Sequence, residues 1–339
     1  MLKRFINIAA ISVSLFAFTI VYAKEEVNVY SYRQPFLIKP ILDQFSQMHN
    51  IKVNIIFADK GLEERIAREG KYSPADVILA VDISRVMEFV SRNLVQPVSS
   101  KLLTENIPAN LQDAKSGWFA LTTRARSIYA QKGLPDIDTL NYEDLANPEF
   151  KGKICMRSAK HPYNIALIAS MIANNGYDQT KEWLIKVKEN LARKPQGNDR
   201  AQVKAIKDNL CQYSLGNSYY YGKMLLDEQQ KSWAEAVTIV FPNQNNRGTH
   251  VNVSAMMMAK YAPNRDNALK LMEYLASEEA QSMYATLNME YPVNPSVNPS
   301  PLVASWGAFK TDSIDLNKIA DNRKLALKLV DETRFDLAS

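Results

Sequence analysis

The chain has 339 residues, 46% hydrophobic and 23% charged, a composition typical of a globular protein of about two domains. Its 41 Lys and Arg and 36 Asp and Glu give a net charge of +5, which does not indicate a nucleic-acid binder. Three His and two Cys exclude a Cys/His zinc module or an iron–sulfur cluster built by this chain alone. The 16 Tyr residues are the unusual feature of the composition.

Residues 1–23 have the three parts of a secretory signal peptide: a positive start, an apolar run, and small residues before a cleavage site after Ala23. The alternative is an uncleaved membrane anchor. That alternative is disfavoured because the apolar run is shorter than a span of ~20 residues and charged residues from Lys24 onward follow directly. We therefore expect an exported, periplasmic protein whose mature chain begins near Lys24.

Strand and helix patterns alternate along the next part of the chain. The predicted elements are strands at 27–30, 52–57 and 75–80 and helices at 36–45, 62–68 and 83–92. The strand at 75–80 is continuously apolar, which is typical of a parallel sheet covered on both faces. This β-α-β-α-β order predicts an open α/β sheet.

Residues 118–130 form one long extended run that is expected to pass from one lobe into another. A second β/α series follows, with strands at 153–156, 212–216, 237–241 and 250–258 and helices at 141–146, 164–176, 178–191, 199–208, 219–229, 264–276 and 278–287. Asn264 and Ser277 are predicted N-caps of the last two helices. Residues 291–300 are expected to be loop, and the chain from 314 is mostly helical. Two α/β lobes joined by extended hinge strands predict a ligand cleft between them.

Cys155 and Cys211 are the only cysteines, and an oxidising compartment permits a disulfide between them. Cys155 lies in a strand-like run and Cys211 directly precedes another, so two neighbouring strands of one sheet can bring them together. The alternative is a pair of buried free thiols.

Catalytic motifs are absent from the sequence, which has no nucleophile elbow, His-Glu-x-x-His, Walker loop or Rossmann glycine pattern. The histidines are scattered, and no pair of carboxylates is singled out. We therefore predict a binding protein and not an enzyme.

Tyrosines remain as candidate ligands. Tyr219, Tyr220 and Tyr221 stand together at a helix start, and Tyr163 lies in a polar loop between a strand and a helix. Phenolate oxygen is a hard anionic ligand that suits ferric iron, and the metal supplies the driving force for loss of a proton with pKa ~10. The alternative is aromatic packing at a helix start, with the hydroxyls reaching water.

Several stretches, in this order and at this spacing, resemble the periplasmic ferric-binding proteins, the substrate-binding components of iron(III) ABC importers. They are residues 29–33, 74–77 and 150–158, Leu121-Thr122-Thr123-Arg124-Ala125-Arg126, Asn217-Ser218-Tyr219-Tyr220-Tyr221-Gly222, Phe241-Pro242-Asn243-Gln244, Arg247-Gly248-Thr249-His250-Val251-Asn252 and Glu290-Tyr291-Pro292-Val293-Asn294-Pro295. The resemblance covers nearly all of the mature chain.

The resemblance implies the class II two-lobe fold of periplasmic binding proteins. Residues 24–121 with about 244–300 would form the first lobe and 122–243 the second. Residues 301–339 would form a C-terminal helical segment packed on the lobes. The expected function is Fe(III) capture by a monomer in an interlobe cleft and delivery to an ABC permease in the inner membrane.

By the same resemblance, Tyr163, Tyr219 and Tyr220 are the expected iron ligands, and Tyr221 turns away into packing. Arg124 would stabilise the phenolates or hold an anion such as carbonate, because three phenolates leave no positive charge on Fe(III).

The first-lobe loop departs from the pattern Tyr-Ser-x-Arg-His-Tyr, which is usual in the branch of the family that this chain resembles most. Gln34 stands at the position of the His and Pro35 at that of the second Tyr, and neither is a strong ferric ligand. The first lobe would then contribute only Gln34, or Tyr32 in a re-aimed loop, with anion or water oxygens filling the remaining positions.

Two other classes of function stay open. One is a binding protein of the same fold for a small organic or anionic ligand, such as a polyamine, thiamine or a phosphonate. The other is an exported enzyme or adaptor that retains the binding fold.

Overall fold

The computed structural model describes residues 25–337 except 114 and 116. The predicted signal peptide, residues 1–23, lies outside these described residues. The strands in the described part are β1 (Glu26–Ser31), β2 (Lys52–Phe57), β3 (Val77–Ala80), β4 (Val95–Gln96), β5 (Phe119–Gln131), β6 (Ile154–Cys155), β7 (Tyr213–Asn217), β8 (Val237–Val240), β9 (Val251–Ala259) and β10 (Tyr291–Pro292).

Helices alternate with these strands. Those in the described residues are α1 (Pro35–His49), α2 (Leu62–Glu69), α3 (Ile83–Ser91), α4 (Lys101–Asn106), α5 (Pro162–Asn175), α6 (Tyr177–Glu189), α7 (Asp199–Lys207), α8 (Ser218–Leu225), α9 (Lys231–Ala234), α10 (Arg265–Leu275), α11 (Glu278–Asn288), α12 (Pro301–Ala304), α13 (Leu316–Asp321) and α14 (Arg323–Glu332). Over the same residues, no helix is both long enough and apolar enough to cross a membrane.

Strand pairing follows the order β2-β1-β3-β9-β5-β7-β6. β1 pairs in parallel with β2 and β3, as the predicted β-α-β-α-β order requires. Every residue of β3 is buried, in agreement with its continuous apolar run. β9 then pairs antiparallel with β3 and with β5.

β5 connects two groups of strands. Its 13 residues confirm the long extended run predicted from the sequence. Residues 119–125 pair with β9, which belongs to the group containing β1 to β3. Residues 126–131 pair instead with β7 and β8, whose group also contains β6. The switch of partners occurs between Ala125 and Arg126, inside one unbroken strand.

Cys155 and Cys211 form a disulfide with their Cα atoms 5.9 Å apart. The parallel pairing of β6 with β7 brings the two cysteines together. The disulfide lies in an apolar cluster with Val203 and Ile206 of α7 and Met224 of α8.

Several elements differ from the sequence predictions. Helix α8 ends at Leu225 and not at 229, and residues 291–292, predicted as loop, pair with β5. Asn264 occupies the N-cap position of α10 as predicted, but its side chain makes no capping hydrogen bond and instead donates to the buried carboxylate of Asp76 at 3.0 Å. Ser277 caps α11 as predicted, accepting from the Ala280 N–H at 3.3 Å.

The C-terminal helices pack across the two strand groups. α13 contacts α3, which follows β3, and α5, which follows β6. α14 contacts α5 and α6.

Candidate metal centre

Two helix N-termini carry the predicted tyrosine ligands. Tyr163 is the second residue of α5, and Pro162 before it starts the helix without needing a backbone donor. Tyr219 and Tyr220 are the second and third residues of α8, which follows directly from β7. The Tyr163 and Tyr219 hydroxyl oxygens lie 3.1 Å apart, within hydrogen-bond distance. The ring centroids of Tyr219 and Tyr220 lie 4.3 Å apart.

The three tyrosines share one cavity of about 280 Å³. Its lining residues are Tyr32, Arg33, Gln34, Phe36, Leu37, Val81, Arg124, Tyr163, Arg200, Tyr219, Tyr220, Lys223, Asn288 and Glu290. A larger groove of about 760 Å³ lies beside α6 and contains none of the predicted site residues. The smaller cavity therefore holds the candidate site.

Burial controls the protonation of the phenols. It raises the pKa of Tyr219 well above the ordinary value of 10.0, and neighbouring Tyr163 and Tyr220 add to the rise while Arg124 opposes it. Burial likewise raises the pKa of Tyr220 to about 12. Both phenols are thus neutral at pH 7, and each must lose a proton before it binds a cation as phenolate.

Positive charge exceeds negative charge around the cavity. Glu290 forms a buried ion pair with Arg33 and accepts a hydrogen bond from Thr122 Oγ1 at 3.1 Å. Among the described residues, no carboxylate forms an ion pair with any of the other lining cations. These are Arg124, which donates to the Val81 carbonyl, Arg200, which donates to Gln230 Oε1 at 3.4 Å, and Lys223, which donates to the Leu287 carbonyl at 3.3 Å.

Arg124 lies where a cation can act on the phenols. It is buried on β5, and its guanidinium carbon is 6.0 Å from the Tyr163 ring centroid. Arg157 and Arg126 approach the same ring, with guanidinium carbons 5.5 and 5.9 Å from its centroid.

Tyr32 lines the cavity, but its hydroxyl is engaged outside the tyrosine cluster. It donates to the Glu63 carboxylate and accepts from the Leu62 N–H at 2.8 Å. The Arg85 guanidinium lies 3.9 Å from the centroid of its ring. Burial and the Glu63 hydrogen bond raise the pKa of Tyr32. Of the two candidates, Tyr32 and Gln34, only Gln34 has a side chain without a hydrogen-bond partner among the described residues.

Gln34 and Pro35 occupy the start of α1. Gln34 is exposed at the cavity edge and its side chain does not cap the helix. Pro35 is the first helical residue, a position that tolerates the missing N–H.

Sequence reasoning did not single out Arg200, Lys223 or Glu290 as cavity residues. Lys223 follows Tyr219 by four residues on α8, and this helical spacing places both on one face. No such helical spacing relates Arg200 or Glu290 to the tyrosines, and the fold brings both residues to the cavity.

Fold and cavity together describe a protein that binds a small solute between two groups of strands. Residues 73–308 match the family of bacterial extracellular solute-binding proteins, and the chain belongs to this family. An extracellular family implies that the chain is exported. Its members are solute-binding proteins, which fits the prediction of a binding protein and not an enzyme.

Known relatives place this chain among iron-binding members of the family. It is 41% identical to iron uptake protein A1 of Synechocystis over 91% of this chain and 87% of that protein. Its structure matches apo ferric ion-binding protein A of Pasteurella haemolytica with a TM-score of 0.87 and 57% identity, over 92% of this chain and 98% of that one.

A third similar protein, from Trichodesmium, was solved in complex with iron and citrate ligands. It matches with a TM-score of 0.86 and 39% identity, over 91% of this chain and 99% of that one. These matches confirm the resemblance stated from the sequence and the two-lobe periplasmic binding protein fold with its cleft between lobes.

Proposed function

We propose that this protein captures Fe(III) through the phenolates of Tyr163, Tyr219 and Tyr220. The observation that carries the proposal is the convergence of these phenols on one cavity, with two hydroxyl oxygens 3.1 Å apart. Hard anionic oxygen ligands suit a hard trivalent cation. Relatives named for iron uptake and ferric iron binding support the same cargo.

The charge of the cavity supports a bound anion beside the iron. Three phenolates neutralise Fe(III), which leaves the positive charges of Arg124, Arg200 and Lys223 without compensation. An anion such as carbonate, or citrate as in the Trichodesmium relative, would accept charge-assisted hydrogen bonds from them and fill vacant positions on the metal. Gln34 would add a carboxamide oxygen from the first lobe, and Tyr32 would not coordinate.

Capture would proceed by closure of one lobe on the other. We assign residues 24–121 with about 244–300 to the first lobe, 122–243 to the second and 301–339 to the C-terminal segment. The tyrosines of the second lobe would bind iron first, and hinge motion in β5 would bring Gln34 over it. The closed monomer would then deliver iron to an ABC permease in the inner membrane, after signal-peptide cleavage near Lys24. Release requires protonation, reduction or a competing chelator, and no covalent chemistry.

A small organic anion is the second candidate cargo. The excess of lining cations favours such an anion and opposes a polyamine, which would need carboxylates in the cavity. In this alternative the tyrosines would stack on the ligand or donate hydrogen bonds to it.

Visible absorption distinguishes the two candidates. The chain from Lys24 is stripped with a chelator at acid pH and titrated with ferric citrate. Phenolate-to-iron charge transfer should colour the protein, and the colour should fade in Tyr163→Phe and in the Tyr219→Phe/Tyr220→Phe double variant. A protein that stays colourless and gains no thermal stability with iron would refute the ferric proposal.

Tyr221→Phe is the matched control because Tyr221 belongs to the same run of tyrosines on α8. Its ring packs against Trp306, with centroids 5.4 Å apart, and against Tyr129, at 6.2 Å. The control should keep the full colour. Equal fading in Tyr221→Phe and in Tyr219→Phe/Tyr220→Phe would indicate damage to α8 and not loss of ligands.

A further inference from the structure

A buried ionic network of Asp199, Arg126 and Arg157 contacts the N-terminal ends of the two helices that carry the tyrosines. We propose that Asp199 is a positioning residue, which couples α5 to α8 so that the three phenol oxygens are presented together. The inference rests on the proposed ferric function, because it concerns the geometry of that site. Asp199 itself is not among the residues that line the cavity.

Asp199 is the first residue of α7, and its carboxylate is 0% exposed. Its Oδ2 accepts from Arg126 Nη1 at 2.6 Å and from the Asn217 N–H at 3.0 Å. Its Oδ1 accepts from Arg157 Nη1 at 3.0 Å. A buried carboxylate with this many directional partners holds them in one arrangement, because breaking any contact leaves buried charge unpaired.

Arg126 carries the link to both helices. Its Nη2 donates to Asn164 Oδ1 at 2.6 Å, and Asn164 directly follows Tyr163 on α5. Its Nη1 also donates to Asn217 Oδ1 at 3.0 Å, and Asn217 lies two residues before Tyr219. One guanidinium, oriented by Asp199, therefore contacts Asn164, next to Tyr163, and Asn217, two residues before Tyr219.

The Asn217 side chain contacts Arg126 instead of capping helix α8. It occupies the N-cap position of α8, where an Asn side chain normally accepts from the first backbone N–H groups of the helix. Here it makes no capping hydrogen bond, because its Oδ1 accepts from Arg126 instead. The helix start that carries Tyr219 and Tyr220 is thus held by the network and not by its own cap.

Geometry outweighs charge in this role. Exchanging three phenolic protons for Fe(III) leaves the net charge of the site unchanged, so a fixed neighbouring charge alters this exchange little to first order. A bound anion would add negative charge, and removing the Asp199 carboxylate would favour that anion, so loss of this charge alone would not weaken binding. The requirement that remains is simultaneous contact of three oxygens with one ion. Groups that orient metal ligands typically contribute about 10–100-fold in affinity.

Asp199→Asn tests the proposal, with Asp76→Asn as the matched control. Asp76 is also a 0% exposed carboxylate, but it accepts from Asn28 and Asn264, which do not line the cavity. Both variants lose a buried charge and some stability. Only Asp199→Asn should lose about 10–100-fold in affinity for iron against citrate and show a weaker, shifted charge-transfer band per bound iron.

Asn164→Ala provides a second variant that keeps every charge. It removes the contact between Arg126 and α5, together with the hydrogen bonds from Asn164 Nδ2 to the Ser158 and Arg157 carbonyls at 3.1 and 3.3 Å. This variant decides the question if Asp199→Asn does not fold. The charge-transfer band of Asn164→Ala should weaken towards that of Tyr163→Phe. Adding Tyr163→Phe to Asn164→Ala should weaken the band less than the same substitution weakens it in the wild type.

The outcomes separate the two proposals. A wild-type protein without a charge-transfer band refutes the ferric function itself. A coloured wild type with unchanged bands and affinities in folded Asp199→Asn and Asn164→Ala refutes the positioning role alone. An equal change of the band in Asp76→Asn also refutes it, since the effect would then be general destabilisation.

Discussion

Replacing Tyr220 by Phe should reduce by one the protons released when the protein binds iron. The pKa of Tyr220 is raised to about 12, so its phenol is protonated at pH 7. Ionising it about five pH units below its pKa costs about 7 kcal/mol, which the metal must supply. The pKa of Tyr219 is also raised, so these two phenols alone should make iron affinity fall at least about 100-fold per pH unit of acidification.

Proton release is measured with an indicator dye in weak buffer at neutral pH. Stripped wild type and Tyr220→Phe are saturated with the same ferric citrate in excess citrate, which keeps a carboxylate available for the vacated position. Protons exchanged by the ferric citrate are the same in both titrations. The wild type should therefore release about one proton per iron more than Tyr220→Phe. Tyr221→Phe should match the wild type.

Equal proton release by wild type and Tyr220→Phe, with iron bound stoichiometrically by both, would refute phenolate ligation by Tyr220. A difference that also appears in Tyr221→Phe would assign it to a general change in α8. The first result would remove Tyr220 from the proposed ligand set while leaving the fold assignment unaffected.

Three further predictions concern stability and the ligand set. Cys155→Ser/Cys211→Ser opens a link across a sequence separation of 56 residues and should lower the free energy of unfolding by about 4 kcal/mol in urea; a loss below about 1 kcal/mol would contradict this. Tyr32→Phe should keep the full charge-transfer band and lose about 1 kcal/mol of stability, whereas a faded band would make it a ligand. Glu290→Gln leaves Arg33 buried without its partner and should cost about 3–5 kcal/mol, so an unchanged urea midpoint would argue against it.

Local pattern was enough to predict most of the elements. Strand 52–57 and the long run at 118–130 appear in the structure within a residue of their predicted bounds. Apolar alternation and helical spacing are properties of consecutive residues, so they can be read without knowing the tertiary contacts. The adjacency of Tyr219 and Tyr220 at a helix start belongs to the same class of local information.

Short or packing-dependent elements could not be predicted in this way. Helices α4, α9 and α12 each have six residues or fewer, too few to show a period. Residues 291–292 form a strand only because β5 offers an edge to pair with. Asn264 is a residue type that commonly caps helices, but its side chain donates a hydrogen bond to the buried Asp76 carboxylate instead.

For the candidate site too, the sequence determines some properties and the tertiary structure determines others. Sequence determined which residues are chemically able to bind ferric iron, because a phenol is a hard oxygen donor wherever it lies. Only the tertiary structure decided that Tyr163 and Tyr219, 56 residues apart, meet at 3.1 Å while the Tyr32 hydroxyl turns to Glu63. The pairing of the strands brings Tyr163 close to Tyr219. The hydrogen-bond partners within reach of Tyr32 determine where its hydroxyl points. Both depend on residues distant in the chain, which no local pattern encodes.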